Sequence, residues 1–505
     1  AGFTAGAFEF NAIRTEGITT ALATATINVT NNTISNCSTA NGSTPTTIMI
    51  NNLSTNLPGT MNINDNIIKA FNSLAVAGTF TGISSTGAIA TISISNNQIG
   101  DNVANDINTA AGTITGILNT TGVSATKTMS GNQIRNLTGV AATTAISTIA
   151  GTNPFTIQSN IISTLKGSNV VGITLGATAG QVTLTGNNIS NLSGTGQING
   201  FTVSTGPTAT IDNNTVSTLS TTSASAFVTA VQNSGISTIT NNVFSNLSIN
   251  SGAPNNASVY GILQGGGTPV VIAGNTISGL TSNSISGNGT STGLVDGVYI
   301  AAGTNVSVRK NRIFDLSVTG ASATTTVYGV HIAAGTSDTI HNNYISDLRA
   351  PSSSNPDAIR AIGNTNATAS ANYFVYYNTI YLKATSSQTT FGTSGIYHNA
   401  QATSTTSQLF LRNNIIVNES TPGSTSGITV AIRRSGANLG NYNTASNNNA
   451  LYAGIASAKN LLYYDGTNSS QTLAQMQGIA SFSPRDNVSL ETLPNVINST
   501  TTRYE

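Results

Sequence analysis

The chain has 505 residues, of which only 7% are charged, with a net charge of +1, no Trp and one cysteine, Cys37. A nearly neutral chain lacks the basic surface that nucleic acid or an anionic membrane demands, and a lone cysteine excludes an internal disulfide framework or a Cys-based zinc site. No window of 18 or more apolar residues occurs, so no membrane insertion is expected, and Ile, Val and Thr at regular spacing argue for ordered β structure over disorder.

The opening AGFTAGAFEF has neither a basic start nor a continuous apolar run, so it reads as no signal peptide. Residues 1–25 read as a lead-in, in which Asn11-Ala12-Ile13 is a shortened copy of a repeat that is regular from Asn32 onward. From Asn32 to Asn449 an Asn-x-apolar anchor recurs at intervals of 27 to 36 residues, placing the repeats in residues 26–449. The best copies are VDGVYIAAGTNVSVRKNRIFDL (295–316) and VYGVHIAAGTSDTIHNNYISDL (327–348), 32 positions apart. Each unit contains two runs of alternating apolar residues, such as Val298/Ile300 and Val306/Val308, and then Ile313/Leu316. Short alternating runs mean three brief strands, and a fixed period of this length means stacked coils. The predicted fold is therefore all-β, a parallel β-helix of about 14 coils with three strands in each.

The anchors Asn275, Asn311, Asn343, Asn378 and Asn414 are read as a structural turn row. Their amides bond to turn backbone and to the equivalent Asn of the next coil, and Asn accepts the left-handed conformation that turns need. From Gly261, Gly297 and Gly329 to the next anchor the gap is always 14 residues. Length varies only after Leu280, Leu316 and Leu348, in segments such as 281–292 and 350–357, so the insertions share one edge. Residues 450–505 leave the pattern and read as a cap over the last coil, with an Asp-Gly turn and a short helix N-capped by Ser469 or Ser470.

With these units in view the chain resembles right-handed parallel β-helix proteins. NNTISN, NNISNLSG, VYGVHIAAGT, LLYYDGTNSSQTLAQMQ and PRDNVS resemble repeat modules of very large secreted surface proteins of Bacteroidetes type, over roughly residues 20–500. The resemblance implies a secreted or cell-surface location, export by the type IX route, and a role in adhesive or fibrous material. The C-terminal sorting domain of that group has no counterpart in this sequence, so a fragment of a larger protein is expected.

Parallel β-helices also include pectate lyases and polygalacturonase-like hydrolases, whose chemistry needs paired carboxylates, or clustered Asp for calcium with a basic residue. The Asn-Thr-Asp, Asp-Asp and Gly-His-Gly motifs of the hydrolases are absent. The expectation is a structural or adhesive segment of a bacterial surface or fibre protein, with no catalytic residue, metal or cofactor. The alternative is a carbohydrate-active β-helix, either a polysaccharide lyase or hydrolase or a sugar-binding module. Residues 296–360 hold ten of the 33 charged residues (17 Lys and Arg with 16 Asp and Glu), together with His331 and His341. Repeat phase sets His341 one coil beyond Arg309, Asp347 one coil beyond Asp315, and His331 beside Tyr299, with Tyr397 two coils further along. The outward rings of Tyr299, His331 and Tyr397 suit a sugar, with Arg309, Arg312 and His341 as donors and Asp315 and Asp347 nearby. The plainer alternative is that these are solvated outer positions whose charges offset one another. The partners expected are surface glycans, or neighbouring modules or subunits of the same fibre. Ice binding would need Thr-x-Thr in the same strand of every coil. The aligned Thr268, Thr304 and Thr336 fall instead at a turn after Gly, which sets that reading aside.

Overall fold

Alternating apolar residues in runs too short for a helix pair most readily with the same run one repeat away, and that is how this chain folds. The structure is a computed structural model that describes residues 9–494 except 17–24, 40–43, 55–56, 75–76, 122–124, 150, 152, 178–179, 252–256 and 286–293. Most of the expected lead-in, part of the 281–292 insertion and the last residues of the expected cap lie outside the described residues. The chain forms two compact units, Ala1–Ser223 with Val228–Thr238, and Ala224–Phe227 with Ile239–Glu505.

Each unit is a solenoid built on three parallel sheets, and the fold is all-β with about 13 turns, close to the 14 expected. In the second unit one coil runs through Leu294–Ala302 in the first sheet, Val306–Arg309 in the second and Arg312–Val318 in the third. Thr326–Ile332 opens the next coil and pairs in parallel with Leu294–Ala302, setting Tyr299 against His331 and Ile300 against Ile332. In the first unit Thr113–Asn119, Thr126–Ser130 and Gln133–Gly139 make the equivalent coil.

The core is stacked rows of aliphatic side chains. Ile300, Val308, Ile313, Ile332, Ile340 and Ile345 are all fully buried, each lying over its counterpart one coil away. Fully burying a side chain of this size stabilises by about 1.5–3 kcal/mol. Gly297 keeps the rows close: a Cβ there would stand 2.5 Å from Ile313 Cγ2 and 2.6 Å from the Gly329 carbonyl oxygen.

The third strand has an irregularity with a specific cause. Ile313 and Leu316 both face inward although three residues apart, which a regular strand forbids. Asp315, between them, has φ 58° and resets the alternation, and Asn136, Thr164, Asn191, Gly279 and Asp347 do the same in other coils.

The asparagine anchors form a buried ladder. Asn311 donates from Nδ2 to Asn343 Oδ1 (3.0 Å) and to the Ile272 carbonyl (3.0 Å), while its Oδ1 accepts from Asn275 Nδ2 and the Asn275 backbone N–H, both at 3.0 Å. Asn343 bonds to Asn378, and Asn378 to Asn414, in the same way. One part of the expectation is corrected. The ladder residues are not the left-handed ones; the residue just before each is, as at Gly274, Lys310, Asn342, Tyr377 and Asn413. That turn residue swings the chain so that the amide after it points inward.

The ladder ends on the C-terminal segment, where Asn449 Nδ2 donates to Asp486 Oδ1 at 2.9 Å and the Asn449 N–H donates to Ser489 Oγ at 2.9 Å. Phe482 and Met476 are fully buried there, with the Phe482 ring 5.4 Å from that of Tyr463. The short helix Leu473–Gln477 is N-capped by Thr472, with Gln475 completing a capping box. Ser469 and Ser470 were the expected caps, but they pair antiparallel with Tyr464 and Tyr463 after the Asp465-Gly466 turn. They are therefore not free to cap.

Candidate functional site

In the second unit the outer face of the first sheet carries the densest chemistry. Asp296 and Tyr299 flank the break in alternation at Gly297, where Val295 and Val298 are both buried, and the next coil adds Tyr328 and His331 in register. His331 Nδ1 lies 3.1 Å from Asp296 Oδ2, and Nε2 lies 3.0 Å from Thr365 Oγ1. The imidazole stacks on Tyr328 with centroids 3.9 Å apart and planes 5° from parallel, and the Tyr299 ring centroid stands 4.9 Å away, its plane tilted by 43°. Tyr299 in turn stacks on Tyr260 at 5.1 Å. His331 is on the outer face as its phase requires, yet only 6% exposed, and Asp296 is fully buried. The expectation of an open ring for a sugar is corrected at His331, because neighbouring aromatics wall it in. Burial pushes the Asp296 carboxyl above its usual range, against the pull of His331.

A second cluster continues along this face. Gly363 occupies the position between His331 and Tyr397, so the aromatic row is interrupted. Arg360 fills the gap: its Nε donates to Asp357 Oδ2 at 2.7 Å, its Nη1 to Tyr328 Oη at 2.7 Å, and its guanidinium lies 3.6 Å from the Tyr397 ring centroid. Although burial opposes it, the charge of Asp357 holds the Arg360 guanidinium above its ordinary value. Arg433 forms an ion pair with Asp357 Oδ1 at 3.4 Å, sits over Tyr464, and leaves its buried Nη2 without a partner. Arg434 is 2% exposed and donates from Nη1 to His398 Nδ1 at 2.6 Å. Burial and that guanidinium hold the His398 value well down, which fits a neutral ring.

The remaining sequence-predicted residues lie on the other two sheets. Arg309 and His341 are in register on the second sheet, Arg309 exposed and His341 half-buried. Burial, then the charges of Arg309 and Lys310, lowers the His341 value. Arg312 is exposed on the third sheet, its guanidinium 5.8 Å from the Phe314 ring centroid. Asp315 and Asp347 share one cation, Arg349, whose Nη1 stands 3.3 Å from Asp347 Oδ1 and whose Nη2 contacts Asp315. So the predicted set does not converge. Tyr299, His331 and Tyr397 are on the first sheet, Arg309 and His341 on the second, and Arg312, Asp315 and Asp347 on the third.

Several residues that matter here escaped the sequence reading. Thr365, Arg433 and Arg434 carry no motif, and only the register one or two coils on shows them beside His331, Asp357 and His398. On the second sheet Phe374 and Phe410 stack at 4.8 Å, in strands that also present Tyr376 and Arg412 in register with His341. Among the described residues no group of three His, Cys, Asp or Glu side chains could hold a metal ion. The Asp296, His331 and Thr365 array has the contacts of a carboxylate that orients an imidazole toward a hydroxyl. Comparison with protein families, with curated proteins and with solved structures returned no match.

Proposed function

We propose that the chain is a structural and adhesive segment of an extracellular bacterial surface or fibre protein, of the type IX-exported kind it resembles, and that it is not an enzyme. The observation that carries this reading is where the charged groups of residues 296–360 spend their interactions. Asp315 and Asp347 close on Arg349, Asp357 holds Arg360 and Arg433, and Asp296 faces His331 beneath stacked tyrosines. Carboxylates engaged in this way brace coils against one another and leave no open acid and base pair for glycan cleavage. A sparsely charged solenoid whose coils are joined within each unit by an amide ladder suits a load-bearing role outside the cell.

The test is to display the chain on cells or beads and to incubate the purified chain with polygalacturonate, alginate and neutral glycans. Adhesion with no release of product is expected. Product formation lost in Asp296→Asn or Thr365→Val would overturn the reading. The second reading, sugar binding, is favoured by the Phe374–Phe410 stack beside Tyr376, Arg412 and His341, because a ring platform with flanking donors suits a pyranose. Glycan binding that Phe374→Ala with Phe410→Ala removes, while Tyr299→Ala leaves it, would establish it.

A further inference from the structure

In the first unit the second sheet presents a different surface. The strands Thr126–Ser130, Phe155–Gln158, Gly180–Thr185 and Pro207–Asp212 lie side by side in register, so that Thr128, Thr156, Thr183 and Thr210 form one column on the outer face. Thr126 and Thr208 stand two residues before the column and Thr185 two residues after it, giving Thr-x-Thr in three of these four coils. The alternating side chains Met129, Ile157, Leu184 and Ile211 fill the core, which fixes the direction of every threonine.

Three properties distinguish this face from an ordinary polar surface. The side chains of Thr128, Thr156, Thr183 and Thr210 are exposed or half-exposed, and none makes a hydrogen bond among the described residues. The face is nearly free of charge: the one cation on these strands, Lys127, is turned inward, 1% exposed, and donates to the Ile149 carbonyl at 3.1 Å, while Asp212 lies at one edge. Finally, the array is rigid, since β-branched threonine has few rotamers and each coil is fastened to the next by the Asn132, Asn160 and Asn187 ladder.

We propose that this face binds the surface of ice. The column repeats at about 4.8 Å from coil to coil, and in three coils a flanking threonine stands roughly 6.6 Å to one side of it. A single flexible ligand gains little from such a repeat, whereas a lattice gains a contact at every node, and weak contacts that act together bind firmly. Threonine supplies each node with a hydroxyl that donates and accepts and a methyl group that displaces loosely held water. A mineral lattice would require charges, and a crystalline polysaccharide would require aromatic platforms; the column carries neither. This function is independent of the adhesive role proposed above, though both use the same rigid solenoid.

The test uses the full chain, labelled with a fluorophore, at a growing ice front, together with inhibition of ice recrystallisation. Thr156→Tyr with Thr183→Tyr places bulk on the face, and Thr174→Tyr on the outer face of the first sheet is the control. Adsorption of the wild type and the control, with loss in the double variant at unchanged circular dichroism and Tm, is expected. Failure of the wild type to adsorb, or equal adsorption by the folded double variant, overturns the proposal. So does retention on crystalline cellulose or chitin with no adsorption to ice.

Discussion

Replacing Asn311 with Ala tests whether the asparagine ladder holds the coils in register. The side chain makes four hydrogen bonds: two donated by Nδ2 and two accepted by Oδ1, each at 3.0 Å and within the solenoid interior. Ala removes all four and leaves the Asn275 N–H, the Asn275 amide, the Asn343 side-chain oxygen and the Ile272 carbonyl without that partner. At about 1 kcal/mol for each bond lost, the expected cost is ~4 kcal/mol. Asn342→Ala is the comparison, since Asn342 at φ 55° contributes its tolerance of the left-handed region, worth about 1–2 kcal/mol. Because repeat solenoids open locally, hydrogen exchange over residues 270–345 is the assay, read together with denaturant midpoints. The Asn311 variant should lose protection in the coils on both sides of the site. Protection equal to wild type, or a larger loss from Asn342→Ala than from Asn311→Ala, would refute the argument that side-chain bonds, and not turn geometry, secure the stack.

Two further predictions concern buried charge. Asp338 Oδ1 accepts from the Val306 N–H at 3.0 Å, its Oδ2 has no partner, and burial pushes the carboxyl up to about 7. With the folded value raised, the stability it contributes is fully present below about pH 4 and is lost as pH rises through 7. Asp338→Asn should therefore flatten the decline between pH 4 and 7 and be the more stable form at pH 8, by up to about 4 kcal/mol; parallel pH profiles of Tm for the two proteins would sink this. Burial holds the Lys127 amine down to about 8, so its stabilisation is present above about 10.5 and is lost as pH falls through 8. Lys127→Met should raise Tm at pH 6 and raise it less at pH 10, and a gain that does not depend on pH would contradict the assignment.

The architecture was legible because its main signal is local and repeated. Gly297 to Asn311 and Gly329 to Asn343 have the same spacing, and the alternation around Ile300 and Val308 names the buried side of each strand. The Ile-x-x-Leu spacing of the third strand was readable as a pattern but not as a conformation, since only the φ of Asp315 and Asp347 shows how two residues three apart face the same way. In the turn before the ladder, the left-handed residue is Lys310 and not Asn311. In an Asn-Asn pair such as 342–343 both residues favour the turn, and composition does not distinguish the one that bends the backbone from the one that enters the ladder.

Side-chain partnership was the part that sequence phase could not supply. Phase aligns Asp296 with Tyr328 and Tyr299 with His331, yet the contact that forms is diagonal, Asp296 Oδ2 to His331 Nδ1 at 3.1 Å, because both project from the same face beside stacked aromatic rings. Asp357 reaches Arg433 two coils along, past Ser394, for the same reason. The threonine face was missed through the choice of reference coil. Thr128, Thr156, Thr183 and Thr210 each stand four residues before a ladder Asn, but in the second unit that position holds Val271, Ser307, Thr339, Phe374 and Phe410, so threonine occurs there once. A repeat defined by its clearest copies at 295–348 thus hides what the other unit does with the same position. One backbone register carries a column of four threonines in the first unit and an aromatic pair in the second, so the surface chemistry of this solenoid changes from coil to coil while its core stays aliphatic.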